Sequence, residues 1–297
     1  MKQSIIALLL IGIMTVSSCS SATTKSSTET SSINNQLGTA NDMKEAIEIT
    51  QEKELLIVGM EANYAPYNWN QPTDSNGAVK IDGGAGYAGG FDVEVAKELA
   101  RVLDRELVIK QISWEGLIPA VQNGAIDLII AGMSETPERA ESVDFSIPYY
   151  DSAYVMLVKK GSPYEQATSL NDFSMAKVVG QKGTNYDRAI SQIPGVRHET
   201  PLGTVPLIIH AIANEVVDGT VLDKPVGISV VHANPNLVMV EFPPEQGFQQ
   251  IQGVPTACSI ALAKGNSELK AEIDAYLAMF DEEKRDSLME LSVKNQP

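Results

Sequence analysis

Short apolar runs alternate with segments of helical periodicity along most of this chain. Leu55–Met60 and Ile126–Ile130 have the length and composition of buried strands. The segment that opens at Gly89-Gly90-Phe91-Asp92, with Asp92 as the helix cap, has apolar residues at helical spacing. A second series of the same kind begins at Tyr154–Val158. Repeated strand–helix units predict an α/β fold with a largely parallel sheet and helices on its faces.

The composition limits the classes of protein to consider. The 297 residues suffice for one large domain or two of ordinary size, and an apolar content of 43% suffices for a core. The formal net charge of −16 argues against a nucleic-acid partner. The three histidines are scattered, and the sequence shows neither a Ser-His-Asp order nor a cluster of metal ligands. We therefore expect no cofactor, no metal and no catalytic residues.

The N-terminus has the features of a bacterial lipoprotein. Lys2 precedes the apolar segment Ile5–Val16, and Val16-Ser17-Ser18-Cys19 resembles a lipobox, in which the cysteine is acylated, for example with palmitate. The alternative is an ordinary signal peptide with a chance cysteine. Residues 19–41 are rich in serine and threonine, which predicts a flexible tether. We expect a signal peptide over 1–18, and secretion with a lipid anchor at the outer face of the cell membrane.

One strand–turn–helix unit carries a candidate anion site. After the strand that ends at Ile130, Thr136 is a predicted N-cap and the next residue is a proline, which favours a helix start. Arg139 then lies in the first turn, where a cation opposes the helix dipole unless an anion is bound. Free N–H groups, the Ser134 hydroxyl and Arg139 could hold one carboxylate, and Gly132 would allow close approach. The alternative is a solvated arginine on an ordinary turn.

Ligands of open α/β sheets bind at the carboxyl ends of the strands. In this sequence the predicted strand ends carry Glu61, Tyr64, Ser134, Arg139, Thr184, Asn185 and Asp223. They offer a cation, two anions, hydroxyls and an aromatic face. A free amino acid matches this set, with its carboxylate on Arg139, its ammonium on Asp223 and its side chain against an aromatic ring.

The order of motifs resembles one known family. They are Tyr64-Ala65-Pro66-Tyr67, Gly90-Phe91-Asp92-Val93, Trp114-Glu115-Gly116-Leu117-Ile118-Pro119-Ala120, Ala131-Gly132-Met133-Ser134 with Arg139, Val143-Asp144-Phe145-Ser146, Gly183-Thr184 and Asp223. From about Leu55 onward the chain is similar to solute-binding proteins of polar-amino-acid ABC importers. This resemblance implies a two-lobed periplasmic-binding-protein-like (type II) fold with two hinge crossovers. The implied boundaries are 42–150 for the first part of lobe 1, 151–247 for lobe 2 and 248–297 for the second part of lobe 1.

The resemblance also implies roles for individual residues. Arg139 would bind the ligand carboxylate in a bidentate manner, with Thr184 and the Asn185 backbone contributing from lobe 2. Asp223 would bind the ammonium, helped by Ser134 and the Gly132 carbonyl. The remaining implied contacts are Tyr64 and Phe91, which would sandwich the ligand side chain, Met133 in the same motif, and Glu61 at the distal end of the ligand.

The identity of the ligand depends on Glu61. With Arg139 and Asp223 committed to the ends common to all amino acids, Glu61 is a spare acid, which favours a basic ligand such as lysine or arginine. The alternative is a neutral polar ligand such as glutamine or cystine, with Glu61 accepting N–H bonds or pairing with Lys182. A secreted dehydratase that uses Glu61 or Asp223 as acid or base is a further alternative. We expect a monomeric binding protein, not an enzyme, that delivers its ligand to the membrane subunits of an ABC permease.

Overall fold

The computed structural model describes residues 53–251 and 254–297. The predicted signal peptide, Cys19 and the tether lie outside these residues, as does the predicted start of lobe 1 at residues 42–52. Over the described ranges, no helix combines the length and apolar character that a membrane crossing requires.

The chain alternates strands and helices as predicted. The strands are β1 (Leu55–Met60), β2 (Asn63–Tyr64), β3 (Asn68–Gln71), β4 (Val79–Lys80), β5 (Tyr87–Gly89), β6 (Glu106–Gln111), β7 (Leu128–Ile129), β8 (Val143–Tyr150), β9 (Tyr154–Lys159), β10 (Lys177–Val178), β11 (Arg197–His198), β12 (Gly219–Asp223), β13 (Leu237–Val240) and β14 (Cys258–Ala263). The helices are α1 (Phe91–Val102), α2 (Trp114–Gln122), α3 (Pro137–Ala140), α4 (Asn185–Ala189), α5 (Val205–Ala213), α6 (Lys224–Ala233), α7 (Ser267–Ala278) and α8 (Glu282–Asn295).

Two five-stranded sheets form the two lobes. The first has the order β6-β1-β7-β14-β8 and the second the order β11-β10-β12-β9-β13. Because β14 follows the whole second sheet in sequence but inserts between β7 and β8, the chain crosses between the lobes twice. The sheets are mixed rather than largely parallel: β14 is antiparallel to β7 and β8, and β9 is antiparallel to β12 and β13. The prediction of a largely parallel sheet is wrong at β9 and β14. Each is the first strand after a crossover between the lobes, and each runs opposite to its two neighbours in the sheet.

A third, four-stranded sheet lies between β1 and α1, with the order β2-β3-β5-β4. No strand was predicted in this region, because its strands of two to four residues are too short to show a period. Its antiparallel pairing places Trp69 opposite Gly89, where the glycine leaves room for the indole ring. The sheet connects the end of β1 to the start of α1, and so it fixes where Tyr64 and Phe91 lie.

The start of one helix differs from prediction, and one further helix was not predicted. The N-cap of α1 is Gly90, at a positive φ of 121°, and Asp92 lies buried in the first turn. Helix α5 was not predicted, because its sequence is apolar along nearly its whole length and shows little periodicity. Cys258 is buried in β14, with its Sγ 3.7 Å from the Tyr67 hydroxyl.

Candidate functional site

Arg139 connects the two lobes. Its backbone N–H donates to the Thr136 side chain, which caps α3 as predicted. The guanidinium donates to the Ser134 carbonyl oxygen at 2.7 Å and to the Gly183 carbonyl oxygen of lobe 2 at 3.1 Å. It also lies 5.1 Å from the Trp114 ring centroid, a favourable cation–π contact. Burial lowers the pKa of Arg139 to about 10, so the side chain stays cationic at neutral pH.

The dipole argument that singled out Arg139 is wrong, although the residue itself lies at the junction of the lobes. Helix α3 is a single turn of four residues, so Arg139 belongs to its last turn as well as its first. One turn has little macrodipole for a cation to oppose. The Arg139 guanidinium turns back over the loop that precedes α3 because the Ser134 carbonyl and the Trp114 face stabilise it there.

Asp223 ends β12 and lies at the start of α6, where it is 1% exposed. Its Oδ2 accepts a hydrogen bond from the Tyr186 hydroxyl at 2.6 Å. The Tyr64 hydroxyl of lobe 1 lies 2.8 Å from the Tyr186 hydroxyl and 3.4 Å from the same Oδ2. Burial raises the pKa of Asp223 to about 7, against the opposing effect of these neighbouring hydroxyls. A buried acid is thus shared between two tyrosines from opposite lobes.

The other carboxylate oxygen of Asp223 has no hydrogen-bond partner in the part of the chain that the structure describes. Within the described residues, Asp223 Oδ1 and the hydroxyls of Ser152 and Tyr154 are buried and make no hydrogen bond. Ser152 is near enough to lower the pKa of Asp223, but its geometry is not that of a hydrogen bond. Tyr154 lies directly opposite Asp223 on β9. Burial raises the pKa of Tyr154, Asp223 raises it further and Arg139 lowers it, which shows that both charges lie near this ring.

We call Arg139, Asp223 and the tyrosines Tyr64, Tyr154 and Tyr186 the charged clamp. It unites one cation and one acid that do not pair with each other. The Asp223 carboxylate bonds to hydroxyls and the Arg139 guanidinium to backbone carbonyls. A buried carboxylate and a half-buried guanidinium, neither ion-paired among the described residues, are costly unless a molecule of complementary charge bridges them.

The expected aromatic sandwich of Tyr64 and Phe91 is wrong. Tyr67 stacks on Tyr64 with ring centroids 5.5 Å apart and planes 8° apart, and Phe91 meets the edge of Tyr67. Phe91 is 0% exposed and packs on Tyr149, Tyr150 and Phe280. It is therefore a core residue that supports the Tyr67 ring from behind.

Gly132 lies against the other side of the same aromatic group. A Cβ atom there would stand 3.1 Å from Tyr64 Cε1 and 3.4 Å from the Tyr67 ring, and its φ of +60° also favours glycine. Met133 and Ser134, which follow, are buried. Met133 lines a cavity of about 230 Å³ with Trp114, Arg139 and Gly183. The predicted loop is therefore at the lobe junction, as expected from its position after β7.

Glu61, which is 6% exposed, pairs with Gln181 of lobe 2. The Gln181 Nε2 amide lies 3.2 and 3.1 Å from the two carboxylate oxygens of Glu61. Burial raises the pKa of Glu61, while the hydrogen bond from Gln181 lowers it. The alternative partner, Lys182, instead bonds to Glu115 at 2.9 Å on the surface. We call this contact the Glu61–Gln181 pair; it means that Glu61 is not the unpartnered acid that the sequence analysis assumed.

Thr184 and Asn185 lie where expected, at the start of α4, and both are buried. The Thr184 hydroxyl donates to the Gln181 carbonyl oxygen at 2.7 Å and accepts from the Asp187 N–H at 3.3 Å. Both bonds are local, so this hydroxyl shapes the turn that carries Gln181, Gly183 and Tyr186.

The predicted site residues, Phe91 excepted, therefore gather where the two lobes meet. A larger cavity of about 610 Å³ lies between Tyr150–Ala153, the start of α6 and α8, and shares no lining residue with them. Sequence reasoning missed the roles of Tyr186 and Tyr154. Both could have been found from position, because Tyr186 follows the Thr184 cap by two residues and Tyr154 is the first residue of the second series, directly after the crossover.

Two α/β lobes with paired crossovers and polar residues gathered between them define a two-lobed binding protein. A model of the bacterial extracellular solute-binding proteins, family 3, matches residues 56–291, and the chain belongs to this family.

Two curated relatives and one solved structure illustrate the similarity. A probable histidine-binding protein of Campylobacter jejuni is 27% identical over 239 residues, 80% of this chain and 83% of that protein. The L-cystine-binding protein TcyJ of Escherichia coli is 30% identical over 246 residues, 82% of this chain and 83% of that protein. An amino acid ABC transporter substrate-binding protein from Streptococcus pneumoniae bound to L-arginine superimposes with a TM-score of 0.71 at 26% identity, over 86% of this chain and 97% of that one.

Proposed function

We propose that this protein captures a free α-amino acid between its two lobes and delivers it to an ABC importer. The observation that carries the proposal is the charged clamp, in which the buried Asp223 Oδ1 has no hydrogen-bond donor among the described residues. A buried acceptor without a partner is destabilising, and an α-ammonium would supply the missing donor and a neutralising charge.

Arg139 would bind the carboxylate of the same molecule. Its guanidinium is a planar fork that suits a carboxylate, and here it is held by the Ser134 and Gly183 carbonyls without an acidic partner. Since Arg139 is on lobe 1 and Asp223 on lobe 2, a zwitterion that touches both would stabilise the contact between the lobes. Family members that are named as amino-acid-binding proteins support this choice of ligand.

The Glu61–Gln181 pair would meet the ligand side chain. Glu61 is buried and bonded to a neutral amide, so its charge is solvated but not neutralised. A cationic side chain would neutralise it, which favours a basic amino acid, lysine or arginine. The solved relative bound to L-arginine is consistent with this choice.

One observation favours a neutral polar ligand instead. Gln181 already occupies both oxygens of Glu61, so no ligand cation is needed to satisfy them. In that case the pair would hold a side chain such as that of glutamine or cystine through further hydrogen bonds. The TcyJ relative, a cystine-binding protein, makes this the second candidate.

The protein would act by binding alone, as a monomer. The acids of the site have partners that suit a ligand-holding role: Asp223 with tyrosine hydroxyls and Glu61 with an amide. Among the described residues, neither carboxyl group is hydrogen-bonded to a second carboxyl, a histidine or a lysine with which it could form an acid–base pair of the dehydratase type. Release would then be to permease subunits in the membrane.

Cys19 would tether the binding lobes to the outer face of the membrane by acylation. The motif Val16-Ser17-Ser18-Cys19 directly after the apolar segment supports this. We expect Cys19→Ala to release the protein into the medium, because alanine has no thiol to acylate and the acyl chains supply the membrane affinity. Cell fractionation with immunoblotting measures the distribution, and Cys258→Ala is the matched control. An unchanged membrane fraction for Cys19→Ala would contradict the anchor.

The proposed function is tested by thermal unfolding of the protein with each L-amino acid and with cystine. A ligand that binds only the folded state raises the melting temperature in a concentration-dependent way. We expect at least one amino acid to do so, and lysine or arginine to give the largest shift. A panel in which no amino acid changes the melting temperature would rule out the proposal.

A further inference from the structure

One buried carboxylate is connected, through hydrogen bonds to two other side chains, with both loops that form the lobe 1 side of the site. Asp92, in the first turn of α1, is 0% exposed. Its Oδ2 accepts from the Asn68 amide at 2.7 Å, and Asn68 Oδ1 accepts from the Ala62 N–H at 2.7 Å. Its Oδ1 accepts from the Tyr149 hydroxyl at 2.7 Å, and that hydroxyl accepts from the Gly132 N–H at 3.0 Å.

The two backbone N–H groups at the ends of this network belong to residues in the left-handed backbone conformation. Ala62 has a φ of +54° and Gly132 a φ of +60°. A left-handed alanine is strained and persists only where the surroundings hold it. Ala62 lies between Glu61 and Tyr64, and Gly132 packs against Tyr64 and leads into the loop that carries Arg139. A small backbone rotation at either position would move a residue of the site.

We propose that Asp92 is the positioning residue of the binding site, holding the Glu61–Tyr64 loop through Asn68 and the Gly132–Arg139 loop through Tyr149. Asp92 itself does not touch the lobe junction. It fixes the orientation of two relay side chains, each of which holds the peptide N–H of one residue in the left-handed region. Only the expected consequence of breaking the network, weaker ligand binding, rests on the proposed function.

The donor and acceptor pattern makes the role specific to a carboxylate. In Asp92→Asn, one orientation of the new amide sets its NH2 against the Asn68 amide, donor against donor, and the other sets it against the Tyr149 hydroxyl, which then loses the acceptor for its own proton. If Asn68 flips, its amide instead faces the Ala62 N–H, which is again a mismatch. Adding Asn68→Asp repairs both contacts, because the carboxylate at position 68 accepts from the Ala62 N–H and from the amide at position 92. The double variant keeps the net charge and the size of both side chains.

Amide hydrogen exchange followed by NMR tests the network without any ligand. In Asp92→Asn we expect exchange at Ala62 and Gly132 to rise by about tenfold or more, since a mismatched buried group is costly. In the double variant Asn68→Asp/Asp92→Asn both rates should return close to wild type. Protection in Asp92→Asn equal to wild type, or a double variant no better than the single one, would overturn the proposal.

A milder pair of variants covers the case in which Asp92→Asn does not fold. Tyr149→Phe removes the relay to Gly132 only, so exchange should rise at Gly132 and not at Ala62. Tyr276→Phe is the matched control, because the buried Tyr276 hydroxyl makes no hydrogen bond within the described residues. Equal exchange at Gly132 in the two variants would contradict the relay.

Calorimetry then measures the consequence for binding, with L-lysine, L-arginine, L-histidine, L-glutamine and L-cystine as probes. For any probe that wild type binds, Asp92→Asn should weaken binding by about tenfold or more and the double variant should restore it. Unchanged affinity in Asp92→Asn despite faster exchange would overturn the positioning role. If wild type binds none of the amino acids of the full thermal-unfolding panel, the proposed function fails, while the exchange rates still decide whether Asp92 holds the loops.

Discussion

The two acids at the lobe junction are satisfied in different ways. At the Glu61–Gln181 pair, one amide lies within hydrogen-bond distance of both carboxylate oxygens. At the charged clamp, Asp223 has one oxygen bonded to a tyrosine and the other without a donor among the described residues. Both acids are buried and both have a raised pKa. The difference lies in what each still lacks.

This difference suggests that the two acids have different roles in ligand binding. The clamp lacks a donor for Asp223 and an anion for Arg139, and these are the two groups that every α-amino acid carries. The Glu61–Gln181 pair lacks only a neutralising charge, so it can discriminate between side chains without being essential for binding. Breaking the clamp should therefore abolish binding of every ligand, whereas changing the pair should alter the preference among ligands.

The largest effect is expected for Arg139→Ala. Removing one partner of a desolvated charge pair costs about 2–5 kcal/mol, so binding should fall below detection by calorimetry. Arg188→Ala is the matched control, because Arg188 pairs with Glu138 at 3.1 Å on the exposed surface of the same junction. Near-wild-type affinity in Arg139→Ala, with Arg188→Ala equally unaffected, would contradict the clamp.

The next effect is a pH dependence that belongs to Asp223. Its pKa of about 7 means that the carboxyl becomes protonated as the pH falls below 7 and no longer attracts an ammonium. Affinity should then be lost by about tenfold per pH unit between pH 7 and pH 5, and be regained as the pH rises. Calorimetry across this range should give a much flatter profile for Asp223→Asn, which binds weakly throughout. A wild-type affinity that does not change between pH 5 and pH 8 would count against this role.

The smallest effect separates the two candidate ligand classes. Glu61→Gln should weaken a basic ligand by about 1.5–3 kcal/mol, the range for a hydrogen bond to a charged group, and change a neutral ligand far less. Glu115→Gln is the control, since Glu115 pairs with Lys182 at the surface and does not bond to Glu61. Equal weakening of lysine and glutamine binding would show that the pair does not discriminate by charge.

The sequence predicted the order of elements because their apolar runs are long and regular. Leu55–Met60 is a strand with the predicted bounds, and the strand predicted from Tyr154 begins at that residue. Strands of two residues, such as those at Asn63–Tyr64 and Val79–Lys80, are too short to show a period, so the third sheet was missed. The boundaries between the lobes stay predictions.

The site was predicted in part for a similar reason. Residues at strand ends, such as Glu61 and Asp223, were found because the sheet edge gathers them. Which member of an aromatic group faces the ligand depends on packing behind it, and so Phe91 was chosen where Tyr67 stacks on Tyr64. Lys182 was considered as an alternative partner of Glu61 because of its opposite charge. The structure instead pairs Glu61 with the neighbouring Gln181, while Lys182 bonds to Glu115 at the surface.

The most direct test of the central claim compares an amino acid with analogues that lack one of its common groups. Calorimetry on the wild-type protein would use the L-amino acid that gives the largest thermal shift, its α-amide and its deamino analogue. The charged clamp predicts that loss of the carboxylate or of the ammonium abolishes binding, even though the side chain is unchanged. Binding of either analogue with the affinity of the parent amino acid would contradict the clamp.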